Sequence, residues 1–452
     1  MKSSPFTAEV FQARWRTVLG TLILSMTLLL ILGAWSLPFL YESSSLWYKF
    51  GLHKHLLRTG KMVGLTAATL VSIQVILSSR FHFLDRVFSL NRLFALHRRN
   101  GMLIAGLILV HPNLILAAGN YTLFGLEKKY WPEFLGIGLA VTLLSLIAVA
   151  VWRPALGLKY STWRPLHRFS TFFLVMILPV HILFVSDTFR SGPPRVIILA
   201  LAMFNILLFL RIWCRRLFPR NRRYLISRVA PAGKGAVSIE ADIPPDRAVP
   251  SLPGQFAFIT PISPRVKKEE HPFSIASSPA RPETLQFIIR ACGDWTDTAG
   301  RLQPGDAIIL DGPYGLFSHL ANPPAAALVM IAGGIGITPL LSMLRYMADT
   351  GDRRRVLLIW SNRTREEIIF PDEFRELTRK LPSLEVVHHL SRGTKEKLSP
   401  GRLNLQQLQS YLHGRDRKAD VYLCGPAGMM KEVKGILRNL GFGTVYSEEF
   451  RL

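Results

Sequence analysis

The chain has 452 residues, 49% of them hydrophobic, and a formal charge of +25 at neutral pH. That length suits two or three domains, and the long apolar runs lie before residue 215, so membrane spans account for the apolar excess. The basic excess falls largely in short loops between those runs, where the positive-inside rule puts it; this sets aside nucleic acid and leaves membrane lipid as a partner. Three cysteines, Cys214, Cys292 and Cys424, form no CxxC and no cluster, which argues against a disulfide scaffold, a zinc site or an iron–sulfur cluster.

Six runs reach spanning length: about Val18–Pro38, Lys61–Ser78, Gly101–Ala118, Phe134–Trp152, Leu166–Val185 and Val196–Trp213. Each is near the ~20 residues that a bilayer core requires. The first is too long for a signal-peptide core and has no obvious cleavage site, so it is expected to be retained. Arg14 and Arg16, then Arg80, Arg86, Arg92, Arg98 and Arg99, then Arg153, Lys159, Arg164 and Arg168, then Arg211 to Arg223 fall on one side; the other side carries fewer cations. The bias predicts a multi-pass plasma (inner) membrane protein with both termini cytoplasmic, and third and fifth spans that both run outward.

Those two spans carry paired histidines. His97 and His111 are fourteen residues apart, and so are His167 and His181. Fourteen helical steps return to within ~40° of the starting face and climb ~21 Å. Two parallel helices would then match His97 with His167 and His111 with His181, the geometry for two bis-imidazole haems at two depths. A metal or proton pathway is the alternative; simple packing explains four polar groups at matched spacing poorly, because polar side chains inside a bilayer are costly. Arg98, Arg99 and Arg168 serve equally as partners for haem propionates or as loop charge. Gly101 and Gly106 leave room for a flat macrocycle or for close helix approach, and Pro112 and Pro179 are candidate kinks. His53 and His55, read as an outer loop, are metal ligands, acceptor-steering groups or plain surface residues.

Beyond the basic exit CRRLFPRNRR the pattern changes. Short alternating strands broken by Gly and Pro, from about Tyr224 to Ser318, predict a small antiparallel barrel. From about Ala325, apolar strands alternate with helical stretches, an α/β nucleotide-binding layout. Six short motifs follow in order: HPFSIASSP from His271, IRACGDWT ending at Thr296, DGPYG at Asp311–Gly315, GGIGITP at Gly333–Pro339, CGPAG at Cys424–Gly428, and the aromatic Phe450 near the end. Each is weak alone. GGIGITP departs from GxGxxG but shares its physics, since glycines let backbone amides and a helix N-terminus approach a pyrophosphate.

With these motifs in this order the chain resembles the ferric reductase and NADPH oxidase family, the transmembrane flavocytochromes b. The resemblance implies a six-helix haem domain (1–215), an FAD-binding β-barrel (216–322) and a ferredoxin-reductase-like NAD(P)H-binding α/β domain (323–452). Carried over by position, His97, His111, His167 and His181 would ligate two b-type haem irons. His271, Pro272, Phe273 and Ser274 would lie along the flavin, with Ser274 near its reactive nitrogen. Arg290, Gly293, Trp295 and Thr296 would lie near the FAD phosphates, and Gly333, Gly334, Gly336, Thr338 and Pro339 would form the pyridine-nucleotide phosphate loop. Cys424, Gly425 and Pro426 would sit beside the nicotinamide and Phe450 would cover the flavin, so Ser274, Cys424 and Phe450 are the catalytic candidates. The implied activity carries electrons from cytoplasmic NAD(P)H through FAD and the haems to an outer acceptor, a ferric chelate by preference or oxygen as the alternative. Arg363 and Arg365, after the strand ending at Trp360, suit a 2′-phosphate and favour NADPH over NADH; as plain surface charge they need no partner.

Two departures stand out. His271 occupies a position where related soluble reductases usually have Arg, and Phe450 is followed by Arg451 and Leu452. No acidic N-terminal extension with calcium-loop spacing is present, so calcium control is not expected. A different class of function, a membrane transport or metal-binding protein with a nucleotide-sensing half, would give the flavin-type motifs no electron destination.

Overall fold

The computed structural model describes residues 5–119, 127–217, 223–322, 325–392 and 401–449. It has two compact units, one of Thr17–Phe218, the other of Met1–Arg16 with Pro219–Leu452.

The helices α1 (Pro5–Leu40), α2 (Gly51–Ser78), α3 (His82–Phe88), α4 (Leu90–Ala118), α5 (Trp131–Trp152), α6 (Tyr160–Val185) and α7 (Gly192–Leu217) come first. Among the described residues six helical stretches are long and apolar enough to cross a membrane, as the apolar runs predict. Their starts lie further upstream than hydropathy places them. α2 begins at Gly51 and α4 at Leu90, because a helix continues through polar turns that carry no hydropathy signal. Asp85 fixes the start of α4: its buried carboxylate accepts the Leu90 N–H at 2.7 Å, beside Ser89 with φ 62°. α4 and α6 both run continuously through Pro112 and Pro179. The placement of His53 and His55 is corrected: they lie in the first turns of α2, and His53 Nδ1 donates to the Ala118 carbonyl at 2.8 Å, capping α4.

α2 is the most enclosed span, burying Leu65, Ala67, Ala68, Leu70, Val71 and Val75, whereas Leu22, Leu24, Met26 and Leu29 of α1 are exposed as lipid-facing residues would be. α2 packs along α4, and α5 along α6. Small residues at the first seam allow close approach, and buried polar groups bridge helices: Asn205 donates to Ser72 Oγ at 3.1 Å and Asn100 to Gln74 Oε1 at 2.7 Å. The Asp187 carboxylate ties two loops, accepting from the Ser44 N–H at 2.8 Å and from the Ser43 and Ser44 hydroxyls. Burial would raise its pKa, but these bonds and Lys61 hold it down at about 2, so it stays ionised at neutral pH.

The second unit opens with six antiparallel strands, β1 (Arg223–Gly233), β2 (Ala236–Asp242), β3 (Phe256–Ile262), β4 (His271–Ser274), β5 (Thr284–Arg290) and β6 (Ala307–Tyr314), in the order β4-β3-β6-β1-β2-β5. A bridge between Ile275 and Phe287 joins the two ends, so the sheet curls into a barrel around Ile226, Ile239, Ile259, Phe287 and Ile308. The rest is a parallel α/β layer: β7 (Ala327–Gly333), α8 (Ile337–Thr350), β8 (Arg355–Asn362), α9 (Pro371–Lys380), β9 (Leu384–Leu390), α10 (Leu405–Leu412), β10 (Asp420–Cys424), α11 (Ala427–Asn439) and β11 (Val445–Glu448). Its strand order is β11-β10-β7-β8-β9. Winding runs outward from β7 to β9, then returns to the other side of β7. The switch point therefore lies between β7 and β10, where a crevice at the carboxyl ends accepts a ligand. Arg345 of α8 clamps the barrel to this layer, bonding Glu373 bidentately at 2.6 and 2.8 Å and the Ala276 carbonyl at 2.8 Å.

Candidate functional site

Four imidazoles form two pairs within the helical unit. His97 and His167 lie within electrostatic reach of each other, and so do His111 and His181, the matching the spacing predicts. The Nδ1 atoms of three rings meet backbone carbonyls: His111 with Gly60 at 2.8 Å, His181 with Pro132 at 2.9 Å and His97 with Gln74 at 3.2 Å. A carbonyl can only accept, so each of these Nδ1 atoms carries the proton and each Nε2 keeps its lone pair. Among the described residues those Nε2 atoms have no hydrogen-bond partner. Gln74 answers by donating its Nε2 amide to the His97 carbonyl at 2.8 Å. His167 is held differently: its ring lies 5.0 Å from that of Trp163 and its buried Nδ1 has no partner among the described residues. At Gly64 a methyl would lie 2.6 Å from His111 Cε1, and at Gly136 one would lie 2.9 Å from His181 Nδ1. No such contact exists at Gly106, and Gly101 has only the Gln74 amide at 3.4 Å.

In the second unit β4 brings His271, Pro272, Phe273 and Ser274 alongside β3, with Ser274 opposite Phe256. Ser274 is 4% exposed and its Oγ has no partner among the described residues. Trp295 stacks on His271 at 4.3 Å and on Phe273 at 5.8 Å, and donates Nε1 to the Lys267 carbonyl at 2.9 Å. It is thus a core ring that props β4. Thr296 Oγ1 accepts the Cys292 N–H at 2.9 Å and shapes the turn that leaves Gly293 at the surface. Arg290 Nη2 pairs with Glu367 at 2.7 Å, and its Nη1 stands 3.0 Å from where a Gly334 methyl would be. The guanidinium therefore overlies the glycine loop after β7.

That loop and the turn after β10 interlock at the switch point. Gly334 has φ 53°, which favours glycine. A methyl at Gly333 would stand 2.7 Å from Pro426 Cδ, one at Gly336 would collide with the Cys424 carbonyl, and one at Gly425 would be 3.1 Å from the Gly333 backbone. Thr338 is buried and donates its hydroxyl to the Ile335 carbonyl at 2.6 Å, while Pro339 lies in the first turn of α8. Trp360 locks the same loop from below, donating Nε1 to the Gly334 carbonyl at 3.0 Å. Arg363 and Arg365 are exposed, and the Arg363 N–H meets Glu367 Oε2 at 3.1 Å. Phe450 lies outside the described residues.

Cys424 is fully buried, level with Ala332 on β7 and Glu448 on β11. Burial first, then the Glu448 carboxylate, pushes its thiol well above the ordinary range. Cys292 is exposed. Iodoacetamide at pH 8 is expected to label Cys292 in the folded protein and to reach Cys424 only after unfolding, as mass spectrometry of the labelled peptides would read.

Sequence reasoning passed over three residues. Glu448 is 3% exposed and stands 3.4 Å from a Gly315 methyl position; its signal, one acid in a four-residue strand, is slight. Glu367 reads as surface charge until Arg290 meets it. Asn362, 3% exposed at the end of β8, has neither amide atom partnered among the described residues. A buried amide in that state calls for a partner that the protein does not itself supply among the described residues.

Residues 63–178 match the family described as ferric reductase like transmembrane component, residues 226–318 an FAD-binding domain, and residues 330–435 an oxidoreductase NAD-binding domain. The chain is similar to the reductase component of propane 2-monooxygenase from Mycolicibacterium goodii, 32% identical over 37% of this chain and 51% of that protein. The corresponding component from Rhodococcus jostii is 30% identical over 48% of this chain and 60% of its own length. The chain thus spans about half the length of the curated relatives it matches. Among solved structures, the flavohaem-like FAD/NAD-binding domain of nitric oxide dioxygenase from Vibrio cholerae O1 biovar El Tor aligns at 20% identity and TM-score 0.44, covering 51% of this chain and 98% of that one. A ferric-reductase-like transmembrane component followed by FAD-binding and NAD-binding domains is the arrangement of the ferric reductase/NADPH oxidase family, and this chain has it.

Proposed function

We propose that the protein is a transmembrane oxidoreductase that carries electrons from cytoplasmic NADPH, by way of FAD and two b-type haems, to a ferric chelate on the outer side. The single observation that carries this reading is the pairing of four span histidines, three of them with Nδ1 bonded to a backbone carbonyl and Nε2 without a partner among the described residues, on a chain that continues into FAD- and NAD-binding domains. The residues fit the haems. Three imidazoles already have the tautomer that a metal ligand needs, fixed by carbonyls behind them, and the buried His167 Nδ1 is unspent. They fit FAD as well: a Ser274 hydroxyl without a partner among the described residues lies on a strand braced by Trp295.

When bound, FAD would exchange one two-electron input for single-electron outputs, and each haem iron would hold one electron at a time. The chain's own part is positional. Gly333, Gly336 and Gly425 let the two loops at the switch point close on each other. Gly334, with Arg290 above it, would face the pyridine-nucleotide phosphates, Arg363 and Arg365 would meet a 2′-phosphate, and Asn362 would meet the ribose. The turn that runs from Cys424, itself buried and uncharged, through Gly425 and Pro426 would border the nicotinamide, and the phosphate loop holds its shape through Thr338 and Trp360. His97 and His167 would hold the inner haem, among the arginines of the cytoplasmic side, and His111 and His181 the outer one. Two levels ~21 Å apart divide a hydrocarbon core of ~30 Å into short steps.

The test is an absorbance spectrum of the purified chain before and after anaerobic NADPH. The expected result is a low-spin haem spectrum with two haems per FAD that reduces only when FAD is present, followed by reoxidation on adding ferric citrate. A spectrum without haem sinks the proposal. Reoxidation by oxygen but not by the chelate, with superoxide-dismutase-sensitive dye reduction, would replace the chelate with oxygen.

A further inference from the structure

The His111 and His181 rings are seated by one device used twice, on two different helices. In α2 the acceptor is the carbonyl of Gly60 and the residue four positions on is Gly64; in α5 the acceptor is the carbonyl of Pro132 and the residue four positions on is Gly136. In an α-helix the N–H of residue n+4 bonds the carbonyl of residue n. With no Cβ at n+4, the flank of that bond is open, and an imidazole can lie in the notch and donate to the carbonyl's second lone pair. Methyls would abolish both notches: one at Gly64 would stand 2.6 and 2.8 Å from His111 Cε1 and Nδ1, and one at Gly136 would stand 2.9 and 3.1 Å from His181 Nδ1 and Nε2. Helix-interior glycine is destabilising relative to alanine, so two at matching offsets call for a cause. Other span glycines lack the feature: at Gly33 and Gly138 a methyl would meet nothing within 4 Å. The other level lacks it too. Gln74, which receives His97, is followed four residues later by Ser78, and His167 leans on Trp163.

We propose that Gly64 and Gly136 are positioning residues for one haem only, the one held by His111 and His181. They let both imidazoles sink against their neighbouring helices, fix both rings in the Nδ1–H form and set the ring planes; at the other level only His97 meets a carbonyl, that of Gln74 with no glycine four residues on, and His167 leans on Trp163. This rests on the haem reading above and goes beyond it in naming what distinguishes the two levels.

The experiment uses the full-length protein with Gly64→Ala and Gly136→Ala, and with Gly33→Ala and Gly138→Ala as controls of the same chemistry. The readouts are haem per FAD, low-temperature EPR g-values of the oxidised protein and a potentiometric titration. Each test variant is expected to shift the g-values and midpoint of one haem, or to weaken its retention by ~10- to 100-fold, the usual cost of losing an outer-shell partner. The other haem and the FAD content stay at wild-type levels and report that the chain has folded; the controls change nothing. Unaltered signals in both test variants, or equal disturbance of both haems, would overturn the proposal. A wild type without haem would instead sink the earlier reading. Should the alanine variants not accumulate, pulsed EPR of the wild type labelled with 15N-histidine reads the remote ring nitrogens. Slow exchange of both Nδ1 protons at one haem, against one of the two at the other, supports the asymmetry, and identical exchange and couplings at both haems refute it.

Discussion

Alanine at His181 is expected to leave one haem where the wild type holds two. The lost ring is the one that donates to Pro132 and faces His111, so the His111 Nε2 would have no opposite ligand while the His97–His167 level stays intact. NADPH should still reduce the FAD and the remaining haem. Delivery to a membrane-impermeant ferric chelate should fall by more than ~100-fold, because disturbing outer-shell partners alone costs ~10- to 100-fold and this change removes the ligand itself. Haem quantification with a chelate-reduction assay on sealed vesicles checks both halves. Two haems retained at full throughput would remove the basis for the relay.

The second large effect is expected from Gly336→Ala. The atoms in the way are the Cys424 carbonyl and the Gly425 amide, which are backbone and cannot rotate aside. The loop after β7 must lift from the turn after β10, carrying Gly334 and the start of α8 with it. A displacement of about 1 Å in a positioned reactant costs on the order of 100-fold in rate. Stopped-flow flavin reduction by NADPH should slow by roughly that factor, with haem and FAD content unchanged, since the clash lies within the α/β layer. A rate within twofold of wild type would mean that the interlocked loops do not position the nucleotide.

Much of this was legible in the residues. Six spans, a barrel and an α/β layer follow from apolar period, turn residues and strand runs, and the matched fourteen-residue spacing foretold which imidazoles meet. What escaped was whatever depends on a neighbour distant in sequence. Nothing in GLHKHLLRTG reveals that His53 caps α4, because its acceptor lies sixty-five residues away. Trp295 reads as part of a phosphate-side motif, yet its ring serves the barrel core under His271. β11 is only four residues long and has meaning only beside β10, which is why Glu448 went unnoticed. Helix starts slipped by ten or so residues at α2 and α4 because hydropathy reports the lipid-facing part of a helix and not its hydrogen-bonded extent.

The carbonyls on α2 that receive His111 and His97 belong to Gly60 and Gln74, which are themselves fourteen residues apart. α2 therefore acts as a ruler laid against α4, with marks at the same interval. Sliding α4 by even one turn would break both bonds together, so the vertical gap between the two imidazole levels is calibrated by protein and not by lipid. Reconstitution into thinner or thicker bilayers should tilt or strain the bundle's rim while leaving the electron-hop distance, and hence the intrinsic transfer rate between levels, constant.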